Sequence, residues 1–224
     1  MKTLRGLPEL SACLSRVACL SLVFAVPAVG AAAEKPMPGD TGRGAALAVA
    51  CQACHGAHGE GNPAGGFPRL AGQTTDYLAA QLRNYADGRR ASPVMAPVAK
   101  ALDAQKRADV AAFFAEQSAP YAAQPAHPTP GQLQRGRLLV RVGDESKQLQ
   151  ACANCHGPDG SGERYAAPYL AGQSAVYLAN AIREWKAGTR HSGEKQMGPV
   201  VLRLDDQDIA ALSAYLESLG EASH

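Results

Sequence analysis

Aromatic side chains are scarce in this chain of 224 residues, at 5% of its composition, with four phenylalanines and one tryptophan. So few large rings would fill the cores of two small domains poorly. A bulky apolar cofactor in each domain would supply the missing buried surface. The scarcity therefore favours a cofactor-filled interior over two purely proteinaceous cores.

The chain beyond its amino-terminal segment also has no excess of basic or acidic residues. Residues 1–33 contain 3 of the 22 basic and 1 of the 20 acidic residues, so the chain beyond them has 19 of each. The polypeptide beyond residue 33 is therefore formally neutral. This balance excludes nucleic acid as an expected partner and gives no general attraction to a membrane surface.

Long apolar runs are absent after the amino terminus. Lys2 and Arg5 precede an apolar run at residues 17–29, and three alanines follow at residues 31–33. This order of basic, apolar and small residues predicts a secretory signal peptide over residues 1–33. A retained membrane anchor is the alternative, but Pro27 and Gly30 interrupt the apolar run.

What the chain does contain is an internal repeat of about 100 residues. Residues 51–56 (Cys-Gln-Ala-Cys-His-Gly) match residues 152–157 (Cys-Ala-Asn-Cys-His-Gly), and Pro-x-Leu-Ala-Gly-Gln recurs at 68–73 and 168–173. Four prolines lie between the copies, which favours extended chain there. We therefore predict a domain at 34–119, a linker at 120–130 and a second domain at 131–224.

Both copies have helical periodicity, and no segment alternates convincingly as a strand. Apolar residues fall on one helix face in each copy, before Gly88 and Gly188: Tyr77, Leu78, Leu82 and Tyr85, and then Tyr177, Leu178, Ile182 and Trp185. Asp103 and Asp205 are expected to cap later helices. The second copy has nine additional residues before its cysteines, around residues 143–146, which we expect to form a surface loop. The expected fold class is all-α, with two tandem domains.

All four cysteines beyond residue 33 lie in Cys-x-x-Cys-His motifs: Cys51, Cys54 and His55, and Cys152, Cys155 and His156. This pattern is typical of covalent c-type haem attachment. On one helical turn the two thiols can reach the two vinyl groups of one macrocycle, and the next residue brings an imidazole beneath the iron. The sequence therefore predicts two covalently attached haem c groups, with His55 and His156 as iron ligands.

Three other uses of the cysteines compete with haem. A disulfide or a thioredoxin-like redox pair would not need the histidine that follows each motif. A structural zinc ion would need a fourth ligand, and His58, the nearest candidate, corresponds to Asp159 in the second copy.

The second axial iron ligand should occur once in each copy. Met95 and Met197 follow His55 and His156 by 40 and 41 residues and, with Met1 and Met37, are the only methionines. A methionine is more often a core residue, but the repeat favours ligation by Met95 and Met197. His191 is the alternative at the second site.

The chain closely resembles the dihaem class I cytochromes of the cytochrome c4 family. The resemblance covers residues 39–219 and rests on both Cys-x-x-Cys-His-Gly motifs, both Pro-x-Leu-Ala-Gly-Gln segments with the Tyr-Leu that follows, and the two methionine loops. It implies two cytochrome c domains related by an approximate twofold axis, with adjacent haems. It also implies that the carbonyls of Pro68 and Pro168 accept hydrogen bonds from His55 and His156.

The resemblance implies a periplasmic one-electron carrier that delivers electrons to a terminal oxidase. Upstream, the expected partner is a quinol-oxidising complex or a dehydrogenase, and peripheral membrane association is left open. Two other functions compete: the cytochrome subunit of a periplasmic dehydrogenase complex, and a dihaem peroxidase, which would need one haem with an open distal side. The expected protein is not an enzyme, because two protein ligands leave no iron position for oxygen or peroxide.

Overall fold

A computed structural model of the chain describes residues 37–121, 127–162, 167–191 and 197–220. The predicted signal peptide lies outside these residues, as does part of the predicted linker. Within the described ranges no helix is both long enough and apolar enough to cross a bilayer. Helices dominate the fold, as the sequence predicted.

The first domain contains four helices in its described residues. Helices α1 to α4 span Thr41–His55, Thr75–Ala86, Met95–Lys100 and Ala104–Glu116. Asp40, Thr74 and Asp103 cap α1, α2 and α4, since each side chain accepts a hydrogen bond from a backbone N–H three residues later. The cap predicted at Asp103 is confirmed, and Gly88 follows α2 with a φ of 75°.

The second domain repeats this order, with additional elements before its cysteines. Helices α5 to α9 span Pro130–Arg141, Ala153–His156, Ala175–Lys186, Met197–Val201 and Asp206–Ser218. Asp205 caps α9, as predicted. Helix α5 begins at Pro130, the last residue of the predicted linker, because Thr129 and Gln132 form a capping box ahead of it.

The nine additional residues of the second domain form more than the surface loop expected. Two short strands, Gly143–Asp144 (β1) and Leu149–Gln150 (β2), pair antiparallel around a 3₁₀ turn at Glu145–Lys147. Gly143 has a φ of 88°, and a Cβ there would lie 2.2 Å from the Leu149 carbonyl oxygen. Leu149 is buried in the core, so one residue of the hairpin fixes it to the domain.

Each core lies between the first and last helices of its domain. Helix α1 packs against α4 and helix α5 against α9, while α2 and α7 close the core from the side. In the first domain the buried core is small: Ala48, Leu78, Val110, Ala111 and Phe114. This apolar surface is limited, in keeping with a domain that a large cofactor completes.

Candidate haem-binding sites

The first Cys-x-x-Cys-His motif forms the last turn of α1. Cys51 and Cys54 are three residues apart, so their side chains lie on neighbouring positions of one helix face, with His55 at the final position. The chain then turns sharply at Gly56, which has a φ of 86°. The helix end thus presents two thiols and one imidazole to the same space.

That space is a cavity of about 290 Å³. Cys51, Cys54, His55 and Met95 all line it. The rest of its wall is largely apolar and includes Leu70, Leu78, Leu82, Val98, Val110 and Phe114. Two thiols, an imidazole and a thioether around an apolar cavity are the groups that a covalently attached haem requires, so the residues present fit this cofactor.

The second motif forms a shorter helix. Helix α6 contains four residues and ends at His156, after which Gly157 turns the chain with a φ of 75°. Cys152 and Met197 both pack against the buried core of this domain. The second site is therefore built from the same parts as the first, on a helix that follows the hairpin.

Both histidines have the backbone contact that the family resemblance implied. Nδ1 of His55 donates a hydrogen bond to the Pro68 carbonyl oxygen at 2.8 Å, and Nδ1 of His156 donates one to Pro168 at 3.1 Å. Because a carbonyl oxygen only accepts, the proton lies on Nδ1 and Nε2 has a free lone pair. Burial lowers the pKa of both imidazoles and so favours this neutral form.

Two of the four motif cysteines have a raised pKa. Burial raises the pKa of Cys51, and it raises the pKa of Cys152 to about 11, whereas thiolate ligands and nucleophiles have a lowered pKa. The four motif cysteines form no disulfide. Among the described residues, no three His, Cys, Asp or Glu side chains group as metal ligands would.

The two methionines each begin a short helix that sequence periodicity did not predict. Met95 is the first residue of α3 and Met197 the first of α8. Ser92 accepts a hydrogen bond from the Met95 backbone N–H at 3.0 Å, which fixes the start of α3. His191, the alternative ligand, is exposed, and its backbone N–H donates to the Arg89 carbonyl in the other domain.

Two glutamines join the domains through a symmetric set of hydrogen bonds. The side-chain amide of Gln73 bonds to both backbone groups of Tyr169, at 2.9 Å each. Gln173 makes the same pair of bonds to Arg69, at 3.0 Å each. The approximate twofold axis passes between these two pairs. Both glutamines end the Pro-x-Leu-Ala-Gly-Gln segments, whose repetition was the only signal of this role in the sequence.

Two arginines from equivalent positions are buried beside this contact. Arg90 and Arg190 face each other in an antiparallel bridge, and the side chains are 2% and 6% exposed. Arg90 donates to the Tyr177 hydroxyl at 3.3 Å, and Arg190 donates to the Tyr77 hydroxyl at 2.8 Å. Helical periodicity predicted that both tyrosines lie on apolar helix faces, and it gave no sign of this polar layer.

The cavity of the first site extends to this interface. Besides the residues of the first domain, its wall includes Tyr169, Gln173, Tyr177 and Glu184 of the second. The first candidate site thus adjoins this polar layer, and Arg190 of the same layer is close enough to His156 of the second site to help lower its pKa.

Comparison with known proteins places these features in one family. A family model described as cytochrome c matches residues 41–118 and 144–220. A thiosulfate dehydrogenase electron acceptor from Thiomonas intermedia is 42% identical over 171 residues, which are 75% of this chain and 78% of that protein. A cytochrome c4 from Pseudomonas aeruginosa is 38% identical, over 81% of this chain and 89% of that protein.

A solved structure has the same arrangement. The crystal structure of reduced recombinant cytochrome c4 from Pseudomonas stutzeri superposes with a TM-score of 0.73 at 31% identity. It covers 81% of this chain and 99% of that one.

Proposed function

The chain belongs to the cytochrome c family, as a two-haem electron carrier similar to the cytochromes c4, and on that premise we propose a periplasmic route for its electrons. They enter from a quinol-oxidising complex or a dehydrogenase and leave to a terminal oxidase. The bound haem supplies a one-electron ferric–ferrous couple at each site. The protein is an electron-transfer protein rather than an enzyme, which agrees with the names of its relatives.

His55 and Met95 would hold the haem iron at the first site, and His156 and Met197 would hold it at the second. The observation that carries this assignment at the first site is the cavity, because Met95 and His55 both form part of its wall. At the second site, Cys152 and Met197 pack against the same buried core. The Nδ1 hydrogen bonds to Pro68 and Pro168 hold each ring so that Nε2 is available. The methionine thioethers would stabilise reduced iron and raise its potential, and a histidine with a methionine would leave no vacant position for oxygen or peroxide.

The domain contact supports transfer between the two sites. Four hydrogen bonds from Gln73 and Gln173 fix one domain against the other, and the buried arginines bond across the same contact. Because each amide satisfies a backbone donor and an acceptor, sliding of the domains would break bonds on both sides. We propose that this contact keeps the spacing between the haems constant during turnover.

The proposed mature protein begins after residue 33 and consists of domains at 34–119 and 131–224, joined by a linker at 120–130. Export to the periplasm follows from the predicted signal peptide. The periplasm is also the compartment in which this carrier would meet membrane-bound oxidases, with or without peripheral association with the bilayer.

A second candidate function is electron acceptance from a thiosulfate dehydrogenase, which would make the chain the cytochrome partner of a periplasmic dehydrogenase. The observation that favours it is the relative at 42% identity, which is named as such an acceptor. Stopped-flow reduction by a purified thiosulfate dehydrogenase, compared with oxidation by membranes of the native host, separates the candidates. Slow reduction by the dehydrogenase with fast oxidation by the membranes would favour the oxidase route alone.

Replacement of each methionine tests the ligand assignment. Met95→His and Met197→His should each keep both haems attached but lower the midpoint potential of one site, because imidazole stabilises oxidised iron. Redox titration measures the midpoints and intact-protein mass spectrometry counts the haems. Met37→His is the matched control, since Met37 is 42% exposed and lies outside both sites. An unchanged midpoint in either test variant would show that the ligand was chosen wrongly.

A further inference from the structure

The paired glutamine, tyrosine and arginine contacts of the interface follow the twofold axis, and one departure from it places a carboxylate on one side only. Backbone N–H groups of Arg90 and Arg190 donate to the carbonyls of Asn84 and Glu184, at 3.0 and 3.3 Å. Positions 84 and 184 are therefore equivalent in the two domains. One has a neutral amide and the other an acidic side chain.

Glu184 belongs to the second domain, but its carboxylate serves the first site. Its Oε2 accepts a hydrogen bond from Nε of Arg90 at 3.0 Å and lies 2.9 Å from Nη2 in the same ion pair. Glu184 lines the cavity that Cys51, His55 and Met95 also line. Its side chain is 32% exposed, so water screens this charge only in part.

The twofold axis relates this arrangement to a neutral one at the second site. The position that corresponds to Glu184 there is Asn84, supplied by the first domain. The cations around the interface do not break the symmetry in the same way, since each domain contributes one buried arginine. Gln81 bonds to both arginines and has no charge. Of these residues, Glu184 alone adds a formal charge to one site and not to the other.

We infer that Glu184 makes the two haems electrically inequivalent by lowering the reduction potential of the first one. A nearby negative charge stabilises ferric iron, which has one more positive charge than ferrous iron. Removal of that charge therefore makes reduction easier. Tyr77 and Tyr177 come one from each domain and make reciprocal contacts, so they add no such bias. Glu184 thus acts on the reduction potential of the first site through the electric field of its carboxylate and its ion pair with Arg90.

This inference rests on the proposed function only in requiring a redox-active haem at both sites. A titration that fails to resolve two one-electron couples would contradict the proposed function itself. Two resolved couples that do not respond to position 184 would contradict the inference alone.

The experiment compares the holoprotein with Glu184→Gln, Glu184→Asp and Asn84→Glu. Potentials are assigned to each site by paramagnetic NMR during stepwise reduction. The haem signals of the first site are identified by contacts to Phe67, which lies in that cavity. Glu184→Gln should make the first site about tenfold easier to reduce relative to the second, which is ~59 mV for a one-electron couple. Glu184→Asp keeps the charge and should shift it much less.

Asn84→Glu places a carboxylate at the equivalent position and should make the second site harder to reduce by a similar factor. It also provides an independent test if Glu184→Gln yields no holoprotein. Glu116→Gln removes an exposed carboxylate of the first domain that does not line the cavity, and it should leave both potentials unchanged. The inference is overturned if Glu184→Gln shifts both sites equally or neither. It is also overturned if Glu184→Gln and Glu184→Asp behave alike, or if Asn84→Glu leaves the second site unmoved.

Discussion

The first and last helices of the two domains cross at equivalent glycines, but the ion pairs beside the two crossings differ. In each domain the first helix crosses the last at a glycine. A Cβ on Gly44 would lie 2.1 Å from the Asp109 carbonyl oxygen, and one on Gly136 would lie 2.2 Å from that of Ala211. One residue before each glycine is an arginine, Arg43 or Arg135, that reaches a buried carboxylate on the last helix.

The carboxylates do not occupy equivalent positions. Asp208 lies three residues after the cap Asp205, whereas Asp109 lies six residues after the cap Asp103. The arginine therefore finds its partner one helical turn further along in the first domain. Its long side chain allows either register, while the backbone contact at the glycine allows no change. The comparison teaches that close backbone approach is the stricter constraint and that ion pairs adapt to it.

The hairpin adds a second cation to this site in the second domain alone. Lys147, in the turn between β1 and β2, contacts both Asp205 and Asp208 at 2.5 Å. Asp144 of β1 pairs with Arg135 at 2.6 Å. An insertion that could have been a mobile loop is thus fixed to the last helix by charge.

The largest expected effect is at the shared crossing. Gly44→Ala and Gly136→Ala should each destabilise the holoprotein by about 3 kcal/mol, because the new methyl group meets backbone that cannot move without separating the helices. Guanidinium unfolding followed by circular dichroism measures the loss.

The control for this prediction is Gly131→Ala. Gly131 lies in the first turn of α5, and a Cβ there would meet no atom within 4 Å. Its replacement should be neutral or slightly stabilising, since alanine is the better helix former. Equal stability of Gly131→Ala and Gly136→Ala would show that the close backbone contact at Gly136 does not constrain the helix crossing.

A smaller and unequal effect is expected at the ion pairs. Asp208→Asn should destabilise by about 2 kcal/mol, because it leaves both Arg135 and Lys147 with a weaker partner. Asp109→Asn should cost about 1 kcal/mol, since Arg43 is largely solvent-exposed and loses less. Unfolding of the two variants side by side checks the order. The reverse order would show that the hairpin adds nothing to this contact.

The smallest effect concerns acid stability. The Ser146 hydroxyl and the Arg135 guanidinium lower the pKa of Asp144 to about 2. A carboxyl whose folded pKa is depressed stabilises the protein above its unfolded pKa of about 4, and this contribution disappears as the pH falls towards 2. Asp144→Asn should therefore be less stable than the parent at pH 6 and equal to it near pH 2.

Thermal unfolding at four pH values between 6 and 2 measures this difference. The Arg43 guanidinium holds the pKa of Asp109 well below its usual range. Asp109 is unchanged in both proteins, so its own pH-dependent contribution cancels from the difference in stability between them. A gap between parent and variant that persists undiminished at pH 2 would contradict the assignment of the contact to charge.

Much of the site was predictable because it is local. The Cys-x-x-Cys-His motifs, the caps at Asp103 and Asp205 and the glycines after α2 and α7 depend on residues within one or two turns of one another. The capping box at Thr129 was equally local, but it was hidden among prolines that suggested a linker.

The interface could not be read in the same way, since its partners are far apart in the sequence. Gln73 and Tyr169 are separated by 96 residues, and Arg190 and Tyr77 by 113. A glutamine that bonds to a distant backbone has the same sequence signal as an exposed one. Nothing adjacent to Arg90 in the sequence indicates that it pairs with a carboxylate of the other domain, 94 residues away.

Two copies of one haem-binding unit can be identified from the residues alone, because attachment chemistry requires residues at fixed short spacing on one helical turn. The way those copies meet, and the charges that lie between them, are visible only in the three-dimensional fold. Burial and pairing of charges depend on which surfaces come together in space, and a repeat that specifies each half leaves the difference between the halves to a few residues such as Glu184.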